Sequence, residues 1–314
     1  MEKIIDAAGK DELEKALKPF FVRNTNKAGN EIYILNHHNA PLVMQEIGRL
    51  REITFRAGGG GTGKASDIDV YDTREEGYYE QLIVWSPEDR EIVGGYRFID
   101  CSKVINESQT KVSLSTADYF DVSAVCIRNF LNRTIELGRS WVQPNFQPAL
   151  NRKKGIFALD NIWDGLGAIT VDNPNIEFFF GKVTMYKSFN PSARDMILYF
   201  LKTYFPDYQN LISPRYPVEI LMDIQKLEAL FDKSLQFNEA YKVLNHEVRD
   251  LGENIPPLVN SYMNLSPTMK TFGTSNNPHF GNVEETAILI AIKDIYEQKK
   301  KRHIESYTQE LQER

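Results

Sequence analysis

The sequence predicts a mixed α/β domain on a mainly antiparallel sheet, with flanking helices and a helical insert at about 205–250. Three observations lead there. Strand-type and helix-period segments interleave from residue 31 onward. Two strand segments, 81–85 and 92–99, are joined by a turn too short for a parallel crossover. The 314-residue chain is 42% hydrophobic and 25% charged, ordinary proportions for a globular core and far from disorder, collagen or coiled coil.

The first 30 residues read as a short polar helix near 10–17 and a loop. Glu31-Ile32-Tyr33-Ile34-Leu35 is a strand, ended by Asn36-His37-His38-Asn39. From Pro41 to about Phe55 the pattern is helical, because Pro41 suits a first turn and Val43, Ile47 and Leu50 recur at helical spacing. A glycine-rich loop follows at 58–64, then an acidic run, Asp67-Ile68-Asp69-Val70-Tyr71-Asp72, without helical pattern. The strands 81–85 and 92–99 flank Ser86-Pro87-Glu88-Asp89-Arg90 and read as an antiparallel hairpin.

Residues 134–142 read as a strand stopped by Pro144. Residues 155–167 fit a helix with Ile156, Leu159, Trp163 and Leu166 on one face, 176–185 a buried strand, and 193–204 another helix. A helical insert occupies 205–260 with its core at 222–248. Strands at 268–273 and 286–293 close the sheet, and a charged helix runs from Asp294. The domain reading is an N-terminal extension (1–40), one domain (41–303) and the end of the terminal helix (304–314).

With 37 Lys and Arg against 43 Asp and Glu, the net charge of −6 argues against nucleic acid as a partner. Two cysteines, Cys101 and Cys126, cannot supply a disulfide framework or a zinc site, so no metal is expected. Charge in Met1-Glu2-Lys3-Ile4-Ile5-Asp6 leaves no room for a signal peptide, and the apolar runs fall short of the roughly 20 residues a spanning helix needs. A cytoplasmic protein is expected. Basic residues at 299–302 on an amphipathic terminal helix suit peripheral contact with the inner membrane face, although a solvated helix end accounts for them better.

Gly58-Gly59-Gly60-Gly61-Thr62-Gly63-Lys64 satisfies G-x-x-x-x-G-K, but the phosphate loop needs more. Ala65 stands where a magnesium-binding Ser or Thr is required, a helix precedes, and no helical pattern follows. The run is read instead as a mobile loop over substrate, with a plain connector as the alternative.

Four pieces resemble a known family: Arg51 with Phe55 and Arg56 at a helix end, Asp67-x-Asp69-x-x-Asp72, Ile92-Val93-Gly94-Gly95-Tyr96-Arg97, and Glu136-Leu137-Gly138-Arg139-Ser140-Trp141-Val142. They are similar to GNAT-fold N-acyltransferases of the hemolysin-like kind, which include ornithine-lipid and glycine-lipid N-acyltransferases and resemble acyl-homoserine-lactone synthases. Ile255-Pro256-Pro257-Leu258-Val259-Asn260-Ser261-Tyr262 resembles a further family helix, so the likeness spans about 30–303. The chain departs from the pattern at Asn276-Asn277-Pro278-His279-Phe280, where acidic residues are common, which bears on the acceptor amine.

The resemblance implies transfer of an acyl group from a thioester, on acyl carrier protein phosphopantetheine or coenzyme A, to an amino-acid amine, in aminolipid synthesis, with no covalently bound cofactor. That chemistry needs a proton acceptor for the amine and a donor for the developing oxyanion. A main-chain N–H of a splayed strand serves the oxyanion in this fold.

Glu136 is the candidate base or amine-orienting carboxylate, and Arg139 braces it or contacts the donor's arm. A purely structural ion network is the competing reading for both. Arg56, Asp69, Asp72, Arg97 and Ser140 are the candidate acceptor-binding set, the acidic members alternatively pairing with Arg51 or Arg56. Trp141, Val142 and the turn Arg152, Lys153, Lys154, Gly155 are the candidate donor-binding residues. A helix start favours anions, though Phe157 replaces the small residue usual there.

Adjacent His37 and His38 point to opposite faces and suit a surface loop better than a metal site. Phe178-Phe179-Phe180 reads as core before acyl tunnel. Two alternatives stand beside this reading: a signal synthase acting on S-adenosylmethionine, and a non-catalytic carrier- or lipid-binding protein on the same scaffold.

Overall fold

The computed structural model describes residues 1–232 and 234–313. In chain order, α1 (Lys10–Leu17) precedes β1 (Phe21–Asn24), β2 (Glu31–Leu35), α2 (Pro41–Ala57), the single turn α3 (Val70–Thr73), β3 (Glu80–Ser86) and β4 (Glu91–Asp100). Next come β5 (Phe120–Val122), α4 (Ala124–Asn129), β6 (Thr134–Val142), α5 (Arg152–Gly155), α6 (Ala158–Asp172), β7 (Phe178–Met185) and α7 (Pro191–Tyr204). The last third holds β8 (Ile212–Pro214), α8 (Ile224–Leu230), α9 (Phe237–Asp250), α10 (Pro257–Met263), β9 (Lys270–Asn277) and β10 (Val283–Ala291). The chain then runs through α11 (Glu297–Lys300), a π-helical turn at Lys301–Glu305, and α12 (Ser306–Glu313).

Contacts divide the chain into two units: Met1–Val104 with Arg133–Glu177 and Tyr296–Arg314, and Ile105–Asn132 with Phe178–Ile295. In the first unit the strand order is β1-β2-β3-β4-β6, every neighbouring pair antiparallel. The expected hairpin is present, with Gln81 opposite Arg97 and Val84 opposite Gly94. Gly94 and Gly95 are required by close approach of backbones: a Cβ on Gly94 would lie 2.3 Å from the Trp141 carbonyl, and one on Gly95 2.2 Å from that of Leu82.

Helix α2 buries Val43, Met44, Ile47 and Leu50, each apolar side chain contributing about 2 kcal/mol by leaving water. The helix expected at 155–167 is instead the turn α5 followed by α6, which buries Ala158, Ile162, Leu166 and Ile169. Asn151 caps the first turn, and the chain leaves helical geometry at Phe157 (φ −109°, ψ 0°). Ile156 falls in that break and is 57% exposed, off the expected face.

In the second unit the order is β7-β10-β9, again antiparallel, with Phe180 opposite Leu289 and Lys182 opposite Ala287. The closing strands are shifted from their expected bounds: each starts or stops two residues short at its outer end and runs on to a tight turn, Pro278–Phe280, in which Asn277 accepts from the His279 N–H. Phe179 and Phe180 are buried and Phe180 packs edge-on to Phe272 at 6.3 Å, so the aromatic run builds core.

The expected long helix at 222–248 is two helices. Asp223 Oδ1 accepts from the Gln225 N–H and starts α8, while Gln236 and Glu239 form a capping box that starts α9. Short strands β5 and β8 pair as a separate ribbon, so the 205–250 segment is not wholly helical. The mixed, mainly antiparallel α/β class is as expected.

Candidate active site

Six charged side chains of the first unit meet beneath the acidic segment. Asp69 Oδ1 accepts from the Tyr71 N–H (2.9 Å) and Asp72 Oδ2 from the Asp69 N–H (3.1 Å), a capping box that forms α3 where the sequence pattern suggested no helix. This one turn sends Asp72 inward, to full burial. There it accepts from Gln81 Nε2 of β3 (3.0 Å) and from Arg51 of α2 (3.4 and 3.5 Å). Arg97, which faces Gln81 across the hairpin, donates to both oxygens of Asp69 at 2.7 and 2.8 Å. Asp67 Oδ2 accepts from Arg51 Nε (3.1 Å) and Arg139 Nε (2.8 Å).

Three guanidinium groups thus face three carboxylates, which is how charges this deeply buried are tolerated. Burial pushes the Asp67 carboxyl up, but Arg139 and Arg51 outweigh it and hold the group below the usual carboxylate range. Asp69 behaves likewise, with Arg97 the largest opposing influence. Burial would discharge Arg97, yet Asp69 and Asp72 raise its pKa above the ordinary arginine value. Asp67 Oδ1 and Arg97 Nε are buried without a hydrogen-bond partner among the described residues.

Strand β6 carries the other functional side chains. Gly138 pairs with Arg97 and Trp141 with Gly95, so Arg139 and Ser140 together oppose Tyr96 in a β-bulge. Arg139 adopts φ +47°, a left-handed conformation costing a non-glycine residue about 1 kcal/mol or more. Its ion pairs with Asp67 and Asp69 hold it there. Three residues before the bulge, Glu136 is fully buried and accepts a hydrogen bond from the Tyr79 hydroxyl. Trp141 is buried, while Ser140 and Val142 are half-buried.

A family model described as "Acetyltransferase (GNAT) domain" matches residues 50–152, which hold every residue just named. A glycine N(alpha)-acyltransferase of Phocaeicola vulgatus is 53% identical over 99% of this chain and 95% of its own length. One of Bacteroides thetaiotaomicron is 53% identical over 98% of this chain and 91% of its own. The chain belongs to the GNAT N-acyltransferases. It is therefore an acyltransferase, and the non-catalytic alternative gives way. No solved structure matches the chain.

Not every expected site residue of this GNAT N-acyltransferase joins the charged network. Arg56 is engaged with the glycine loop: it pairs with Glu52 at 2.7 Å and donates to the carbonyl oxygens of Glu2 and Lys64. Glu52, fully buried, accepts from the Thr62 N–H and hydroxyl and the Gly63 N–H at 2.7–3.0 Å. Those N–H groups, which a phosphate loop would offer to a nucleotide, are consumed by a carboxylate.

At the expected donor turn, Arg152 and Lys153 are exposed, and Gly155 is buried against Gln147 and Pro148. Lys154 pairs with Asp89 and lies over the Phe146 ring, and its N–H donates to Asn151 Oδ1 (3.3 Å).

Sequence reasoning missed Tyr79. It lies one residue before β3, and no pattern in the sequence marks it. Sequence reasoning also assigned no role to Glu52. Among the described residues no cluster of three His, Cys, Asp or Glu could hold a metal, and His38 Nε2 lies 3.0 Å from the Arg74 carbonyl oxygen. No described helix is long and apolar enough to cross a membrane.

Proposed function

We propose that this GNAT N-acyltransferase moves a fatty acyl group from a thioester, on acyl carrier protein or coenzyme A, to the α-amine of glycine, for aminolipid synthesis. The observation that carries the reading is Glu136, a carboxylate buried at the base of a bulged strand beside a network of arginines and aspartates. In the reaction the amine nitrogen forms a bond to the thioester carbonyl carbon, Glu136 takes the amine proton, the C–S bond breaks, and that proton passes to the leaving thiolate, restoring the carboxylate.

The bulge at Arg139–Ser140 supports an oxyanion role for main chain, because a bulge withdraws backbone groups from the sheet ladder. Asp67 Oδ1 and Arg97 Nε, an acceptor and a donor left unpaired, are of the kind that an amino acid's ammonium and carboxylate satisfy. The relatives' names favour glycine as the acceptor. Arg152, Lys153 and Lys154 form a basic turn suited to a donor's phosphate, and peripheral membrane contact fits a lipid product.

The test offers acyl carrier protein and coenzyme A thioesters with glycine, ornithine, serine or lysine, and with S-adenosylmethionine, and reads products by mass spectrometry. N-acylglycine as the main product supports the proposal. Product with S-adenosylmethionine alone, or none with glycine, contradicts it.

A further inference from the structure

Tyr79 is fully buried, and its two ends meet different parts of the site. Its hydroxyl donates to Glu136 Oε2 of β6. The Arg97 guanidinium of β4 lies 5.0 Å from its ring centroid, Arg74 lies 5.9 Å away, and Tyr71 of α3 packs edge-on at 5.7 Å. The Tyr79 N–H donates to the Tyr71 carbonyl at 2.9 Å, which fixes the backbone from which the ring projects.

We propose that Tyr79 is a positioning residue for acyl transfer, orienting the Glu136 carboxylate and linking it to the acceptor-binding arginine Arg97. The inference rests on the reading of Glu136 as the base.

A carboxylate with no exposed surface is driven toward its neutral form, and a donor aimed at the charged form opposes this. A hydroxyl on a carboxylate makes a charge-assisted bond, stronger than a neutral one. A guanidinium over the phenol ring draws electron density from it and makes the hydroxyl a better donor. Among the described residues, the charged or titratable groups that meet Tyr79 include Glu136, Arg97, Arg74 and Tyr71, with Asp72 reached through Arg97. Arg74 senses the charge of Glu136 as well, so its guanidinium favours the same ionised state.

Tyr79, one residue before β3, and Gln81 within it lie two residues apart in the chain, one donating to Glu136 and the other to Asp72. The two halves of the site are therefore set by one short stretch of backbone.

Tyr79→Phe removes the hydroxyl and keeps the ring under Arg97. The expected result is a fall in kcat of about 10- to 100-fold near neutral pH, below the full effect of a general base. KM for the amine stays within about twofold, and the acid limb of the kcat/KM profile moves to higher pH, because the ionised base has lost a donor. In the Glu136→Gln background the same change costs nothing more.

Site-specific 3-fluorotyrosine at position 79, which perturbs packing little and strengthens the donor, moves the acid limb the opposite way. An unmoved limb in both variants, or an additive loss in the double variant, overturns the inference. Should Glu136→Gln itself keep full activity, the reading of Glu136 as base falls instead, so the two failures are distinguishable.

Discussion

Arg139 Nε lies 2.8 Å from Asp67 Oδ2, joining the bulge of β6 to a carboxylate that Arg51 of α2 also holds. That contact ties the left-handed Arg139 backbone to the acidic segment, so the sheet's irregularity and the charged network are one construction. Its consequences can be measured.

Arg51 has no exposed surface and serves both Asp67 and Asp72. Replacing it with methionine leaves two buried carboxylates short of a cation, which should cost about 3–5 kcal/mol of folding stability. Urea denaturation measures this. A loss below about 1 kcal/mol would show that the network adds little beyond volume.

Acid should weaken the fold in a definite window. Asp67 and Asp69 titrate below the ordinary carboxylate range when folded, while in the unfolded chain they protonate near pH about 4. Their contribution is therefore complete above that pH and declines as pH falls through the lower folded values. Asp69→Asn should flatten the decline between about pH 5 and pH 2 in denaturation curves. An unchanged acid limb would contradict the assignment.

Glu52→Gln should loosen the glycine loop, since a carboxamide cannot accept from every donor that now converges on Glu52. Faster cleavage within 58–64 under limited proteolysis is the expected outcome, with a stability loss of about 1–3 kcal/mol. Magnesium-ATP should leave the melting temperature of the unaltered protein where it was, because the loop's N–H groups are already bonded.

Both cysteines are buried, and burial pushes the Cys126 thiol up to about 12. At pH 8 a disulfide reagent should titrate almost no thiol in the folded protein and two after denaturation, because the thiolate is the reacting form. Rapid labelling of folded protein would refute the packing around Cys126.

Much of this was legible in the residues. Strand β6 has the expected bounds, the β3–β4 hairpin follows from a Pro-Glu-Asp turn, and α2 from apolar spacing. The acidic run and its arginines were recognisable as a set through the resemblance to the GNAT N-acyltransferases. Which carboxylate meets which arginine was not, since Arg51–Asp67 and Arg139–Asp67 join distant segments.

Tyr79 escaped notice because its partner is 57 residues away and nothing local marks it. The break between α8 and α9 was hidden as well: apolar residues continue at helical spacing across 222–248, while Asp223, Gln236 and Glu239 set the helix starts. Capping residues decided where periodicity alone could not.

The most direct test of the central claim is the rate of N-acylglycine formation by Glu136→Gln, beside the unaltered protein, with a fatty acyl thioester and glycine at saturating concentration. The account predicts that kcat falls by about 100-fold or more while the variant folds normally. Unaltered turnover in a folded Glu136→Gln protein would contradict it.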